Sequence, residues 1–128
     1  MKSLLWVILV LISVAACSGT TPEEMASLAA KGYYDHLIRG EYEQFLEGKA
    51  GSDSLPDGYR EQLLTSYRQF MALQNKAHHG IHEVRISRAS TDTVQHFTSV
   101  FLVLCYGDSV NEEIVVPMVQ QDRGWRMK

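Results

Sequence analysis

Near Gly80 the spacing of apolar residues changes from a helical period to strict alternation, and this switch fixes the fold class. Before it, Thr21-Pro22-Glu23-Glu24 reads as a helix start: Thr21 as N-cap, Pro22 at the first helical position, Glu24 three residues after the cap. Met25, Leu28, Ala29, Tyr33, His36 and Leu37 then recur as one apolar stripe, and Gly40 supplies a stop. A short helix over about 41–47 presents Tyr42, Phe45 and Leu46. A third over about 57–77 offers Tyr59, Leu63, Tyr67, Phe70, Met71 and Gln74 as inward residues. Gly48 to Pro56 is the linker between these two.

After Gly80 the pattern predicts four strands, about 81–88, 94–106, 111–120 and 125–128, broken by turn chemistry at 90–92, 107–108 and 122–124. Short connections make consecutive strands antiparallel neighbours. The expected fold class is therefore α+β, three N-terminal helices packed on one face of a four-stranded antiparallel meander. With two-residue loops at Thr91-Asp92, Gly107-Asp108 and Asp122-Arg123, one face collects Val84, Ile86, Phe97, Phe101, Val103, Cys105, Ile114, Val116, Met118, Trp125 and Met127. This is the face to place under the helices. The other carries Val100, Leu102, Leu104, Tyr106, Val115 and Val119, rimmed by Glu83, Arg85, Arg126 and Lys128. An apolar centre inside a charged rim is the pattern of a covered interface, or of a face shielded by its own long side chains. Pro117 removes a ladder donor and suggests a bulge.

The first residues carry a different signal. Lys2 precedes an apolar run, Leu4 to Ala16, interrupted only by Ser13. A membrane-spanning helix needs roughly 20 apolar residues, so this run has the length of an export signal instead. It ends in Val14-Ala15-Ala16-Cys17, which resembles the bacterial lipobox. The expected organisation is a signal peptide over 1–16, a lipidated tether over 17–21 with Cys17 as the attachment residue, and one domain over 22–128. The expected location is the cell envelope, held to the membrane through lipidated Cys17. Ser18 follows the cysteine, where an Asp retains some lipoproteins at the inner membrane, so the outer membrane is favoured. Lipidation of Cys17 leaves Cys105 alone, set in the apolar run Phe101–Cys105 as a small hydrophobe.

Function is constrained mainly by exclusion. The formal net charge is −3, and loss of Lys2 makes it more negative. There is no basic cluster to neutralise phosphates, so no nucleic-acid partner is expected. His78-His79-Gly80-Ile81-His82 is the densest ligand-type cluster, but adjacent imidazoles diverge and no Asp or Cys accompanies them, so no metal or other cofactor is expected. A histidine near a helix C-terminus also complements the helix dipole. Asp35 and His36 point about 100° apart on a helix and form no dyad. None of the residues gathered by name on the expected core face is acidic, so none of them is a general base, and no catalytic residue is assigned. Tyr33, His36, Tyr67 and Trp125 are the residues that would line a pocket between helices and sheet, if one exists.

Tyr33-Tyr-Asp-His-Leu-Ile-Arg-Gly-Glu-Tyr42 and the final Gly124-Trp-Arg-Met127, in a chain of three helices followed by a long sheet, resemble a family of bacterial lipoproteins of unknown function. That resemblance covers roughly 22–128 and implies a cystatin-like, nuclear-transport-factor-two-like cone. Such folds host isomerases and dehydratases as well as non-catalytic binding domains, so the resemblance speaks to fold and not to activity. The leading expectation is a non-enzymatic domain that binds an envelope protein or a second copy of itself, a homodimer. The alternative is a ligand-binding or enzymatic cone for a small apolar molecule.

Overall fold

The computed structural model describes residues 20–121 and 124–128. Helix α1 spans Pro22–Ile38, α2 Tyr42–Glu47 and α3 Asp57–His78, with a 3-10 turn at Ser52–Ser54; strands β1 Ile81–Asp92, β2 Phe97–Tyr106, β3 Asn111–Gln121 and β4 Gly124–Met127 follow. The strands form one antiparallel sheet in the order β1-β2-β3-β4. The fold class read from the period switch is the one observed.

Thr21 caps α1 as its sequence predicts, its Oγ1 accepting the Glu24 N–H at 3.2 Å. Gly40, at φ 77°, takes the left-handed conformation that ends the helix. The face of α1 that meets the sheet differs from expectation. Ala26 and Ala30 are fully buried, while Met25 and Leu28 are 48% and 62% exposed. Small side chains let the helix lie close on the sheet, and that closeness outweighs the burial of two larger residues at the rim. On α3 the buried residues are Leu64 and Met71, whereas Tyr59 and Phe70 face solvent.

The sheet register explains a second departure. The β3–β4 pairing, Met118 with Met127 and Gln120 with Trp125, is the expected one; the loop at 122–123 lies outside the described residues. Around β2 the loops are longer than two residues. Asp92 pairs with Phe97 across a four-residue loop, in which the Asp92 carboxylate accepts the N–H groups of Val94 and Gln95 and His96 takes φ 59°. At the other end Cys105 pairs with Asn111, and Ser109 at φ 70° gives Gly107-Asp108-Ser109 the shape of a three-residue loop. A shift of one residue turns every side chain of a strand to the other face. Strand β2 is thus inverted: Thr98, Val100, Leu102, Leu104 and Tyr106 lie in the core, and Phe97, Phe101 and Val103 face outward. A register irregularity between Ile86 and Arg88 lets β1 follow, so Val84 and Ala89 point inward and Ile86 is 38% exposed.

Pro117 causes no bulge. Its carbonyl accepts the Lys128 N–H at 2.8 Å, so the position of its missing N–H faces the β4 side, and no β2 ladder bond is lost.

Candidate functional site

Strand β4 is 4 residues long and β3 is 11. Only residues 118–121 of β3 pair with β4, and the Lys128-to-Pro117 bond is the last rung. Within a strand the N–H and C=O of one residue point the same way, and successive residues alternate. Pro117 faces the β4 side, so Val115 and Glu113 do too. No described strand pairs with that part of β3. Val115, on this edge, is 52% exposed.

Beside this open edge lies a cleft of about 190 Å³. Phe45, Val116 and Met127 give it an apolar lining, and Tyr34 and Tyr67 stand with them. The three aromatic rings hold one another edge to face: Tyr34 to Phe45 at 5.2 Å and Phe45 to Tyr67 at 4.9 Å, interplanar angles 86° and 90°. Burial raises the pKa of both tyrosine hydroxyls, so they remain neutral donors. Lys49 and Lys128 complete the lining. The backbone under Lys49 is fixed by a parallel bridge to Met127, with Ala50 N–H donating to Met127 O and Met127 N–H to Gly48 O, each at 2.7 Å.

The residues singled out from sequence are distributed differently. Of the expected interface, Val100, Leu102, Leu104 and Tyr106 are core residues, a correction that follows from the inverted β2; Val115 and Val119 stay on the outward face. The apolar residues beside them there are Phe97, Phe101 and Val103. Arg88 lies 3.6 Å from the centre of the Phe101 ring and Lys128 4.9 Å from that of Phe97, so cations shield part of this face. Cys105 is buried and free. Cys17 lies outside the described residues.

The four expected pocket residues do not converge. Tyr33 donates its hydroxyl to the Trp125 carbonyl at 2.6 Å and accepts from Arg126 Nη1 at 2.9 Å. The Trp125 indole Nε1 is buried without a hydrogen-bond partner. Tyr67 belongs to the aromatic cleft. His36, at the far end of α1, pairs through Nδ1 with Glu41 Oε1 at 2.9 Å, and His36 and then Arg39 hold the Glu41 carboxyl below its ordinary pKa.

The histidine cluster is taken up by structure. His78 stacks on Tyr106 at 4.4 Å and contacts Asp108 Oδ2 through Nδ1 at 2.7 Å; His79 is the left-handed cap of α3. Asp108 N–H donates to His78 O and Gly107 N–H to Gly80 O, closing the β2–β3 loop onto the α3–β1 turn. No cluster of three or more potential metal-binding side chains occurs among the described residues. The aromatic cleft itself was not foreseen.

No protein-family model matches this sequence, and no curated protein matches it. Among solved structures the chain is similar to a Campylobacter jejuni protein described as an NTF2-like transpeptidase. The TM-score is 0.61 at 14% identity, covering 77% of this chain and 92% of that one. At this identity the likeness concerns the fold: the chain is an NTF2-like α+β cone, three helices on a four-stranded antiparallel sheet.

Proposed function

We propose that this chain is a lipid-anchored cell-envelope protein, processed before Cys17 and carried on the outer membrane, whose NTF2-like domain acts by binding another protein and not by catalysis. The lipobox-like Val14–Cys17 supports the anchor, and the first helix begins at Pro22, a short tether away. One observation carries the binding reading. The space between helices and sheet is filled by the protein's own side chains: Val84, Val100, Leu102, Leu104 and Met118 are each at most 2% exposed. A cone that held a substrate would keep that space open around a polar group.

The small-ligand reading is favoured by the buried, unpartnered Trp125 Nε1, a donor that an acceptor-bearing molecule would satisfy. The two readings separate in intact cells. A photo-crosslinking amino acid at Val119 on the outward face, or at Tyr67 in the cleft, should give a discrete protein adduct, with none from Glu61 on exposed α3. Absence of adducts from both sites, in cells where the protein is membrane-bound, would remove the protein-binding reading.

A further inference from the structure

We infer that the apolar groove between the first turns of α1 and strand β1 binds one phospholipid of the membrane that carries the protein, with an acyl chain on Leu28 and Ile86, its phosphate at Arg88 and its ammonium at Glu23 and Glu24. This goes beyond protein binding and rests on the Cys17 anchor of the proposed function. The groove has a volume of about 370 Å³, within the roughly 300–1,000 Å³ of small-molecule sites. None of the buried apolar core lines it, so it is separate from the filled interior of the cone. Ile86 and Ala89 form its sheet side, Leu28 its helix side, and Glu23, Glu24 and Arg88 supply its charges.

Local structure explains why apolar surface is left here. Met25 and Leu28 stand one turn apart on the same side of α1. They belong to the apolar stripe that the sequence offers to the core, yet they remain 48% and 62% exposed, because Ala26 and Ala30 take the contact with the sheet. On a strand, residues two apart share a face unless the register breaks. The irregularity between Ile86 and Arg88 breaks it. Ile86 pairs with Leu102 and Ala89 with Val100 on the helix side, whereas Arg88 pairs with Phe101 on the outward side. One short stretch of β1 therefore gives the groove both an apolar floor and a cationic rim.

Position and charge select the occupant. Glu23 follows Cys17 by six residues, at most about 22 Å of extended chain, so under the anchor the groove stays within reach of the bilayer. Its rim carries both signs. The Glu23 carboxylate accepts the Thr91 hydroxyl at 2.8 Å, and that bond holds its carboxyl below the ordinary pKa. Arg88 stands 3.6 Å from the centre of the Phe101 ring and has no ion-pair partner among the described residues. Its N–H donors are thus available to phosphate oxygens. A phosphate with an ammonium beside it matches these charges, and an acyl chain matches the floor. A purely acidic or purely basic peptide would be opposed by one half of the rim.

The test uses the full chain, produced in cells and reconstituted in nanodiscs that contain a trace phospholipid with a diazirine at the end of one acyl chain. A label at that depth reaches the domain only when the chain leaves the bilayer interior. Irradiation should give a phospholipid adduct on the segments that contain Leu28 and Ile86. Leu28→Gln and Ile86→Gln should each lower its yield by at least about fivefold. Leu73→Gln, on a leucine of α3 that is 63% exposed, should leave it unchanged. Leu28 faces solvent, so a normal melting curve for Leu28→Gln keeps the result readable even if Ile86→Gln fails to fold. A probe with an ethanolamine headgroup should label at least about threefold more than one with a glycerol headgroup, and Arg88→Gln should reduce both. Adducts spread over α3, an undiminished yield in Leu28→Gln, or equal labelling by the two headgroups would overturn the site. A chain that enters the nanodisc without a groove adduct removes the site and leaves the anchor. A chain absent from the nanodisc fraction removes the anchor and the site with it.

Discussion

Tyr33 and Trp125 meet across 92 positions of sequence, the Tyr33 hydroxyl donating to the Trp125 carbonyl at 2.6 Å. The bond fixes the last strand to the first helix, and Arg126 Nη1 reinforces it from the same strand. Gly48 lets the Tyr33 ring lie there, since a Cβ on Gly48 would stand 2.5 Å from that ring.

Two substitutions test this junction. Tyr33→Phe keeps the ring and removes the donor, and should cost about 1 kcal/mol in denaturant unfolding. Gly48→Ala should cost more, about 1–3 kcal/mol, because the added methyl meets the body of a ring rather than a flexible tip. An unchanged denaturation midpoint in Gly48→Ala would mean that α2 and its loop can move off Tyr33 freely.

The orientation of β2 predicts a clear contrast between neighbours. Leu102 is fully buried, and Leu102→Ala should cost about 2–5 kcal/mol. Leu102→Lys should unfold the domain, since a buried unpaired ammonium has no compensation. Val103→Lys, on the outward face, should leave the melting temperature within a few degrees of wild type. Equal tolerance of both lysine variants would show the strand turned the other way.

Stability should fall at both ends of the pH scale through one cluster. The His78 contact holds the Asp108 carboxyl below its ordinary pKa. Its contribution is present above the unfolded-state value and is lost as pH falls through the lower, folded one. Asp108→Asn should therefore lose less stability than wild type between neutral and strongly acid pH. Tyr106 lies on the other flank. Burial, then the hydrogen bond it donates to Glu112, pushes its pKa up to about 12. Its contribution is complete below the unfolded value of about 10 and disappears as pH rises through the folded value. Tyrosinate absorbance should show the Tyr106 hydroxyl among those titrating late, and earlier in Glu112→Gln.

For the anchor, Cys17→Ala should abolish incorporation of labelled fatty acid and release the protein from the membrane fraction or block its processing. Persistent labelling in the alanine variant would exclude Cys17 as the attachment residue.

The parts of the fold legible in the sequence are those where only one choice buries apolar surface. Thr21-Pro22 admits one helix start, and β4 has one clearly apolar side, Trp125 with Met127. Strand β2 is apolar on both sides, Phe97, Phe101 and Val103 against Val100, Leu102 and Leu104, so alternation alone carries no preference. The choice fell to loop geometry, and left-handed conformations at Ser109 and His96 gave no glycine to mark them. The cleft was hidden for a related reason. Tyr34 lies off the apolar stripe read for α1, and its edge-to-face meeting with Phe45 and Tyr67 is a matter of tertiary contact between three helices.

The hydroxyl of Thr91 donates to Glu23 Oε1 at 2.8 Å and shares a hydrogen bond with the buried Thr98 at 3.0 Å, tying the start of α1 to the β1–β2 hairpin. In a chain tethered at Cys17 this gives the domain two poles. The hairpin tip, where Val94 is 85% exposed, lies at the pole where α1 begins, and under the proposed Cys17 anchor it would look toward the bilayer. Met118 pairs with Thr98 on one side and with Met127 on the other, so the start of the first helix, the hairpin and the last strand gather at one end of the sheet.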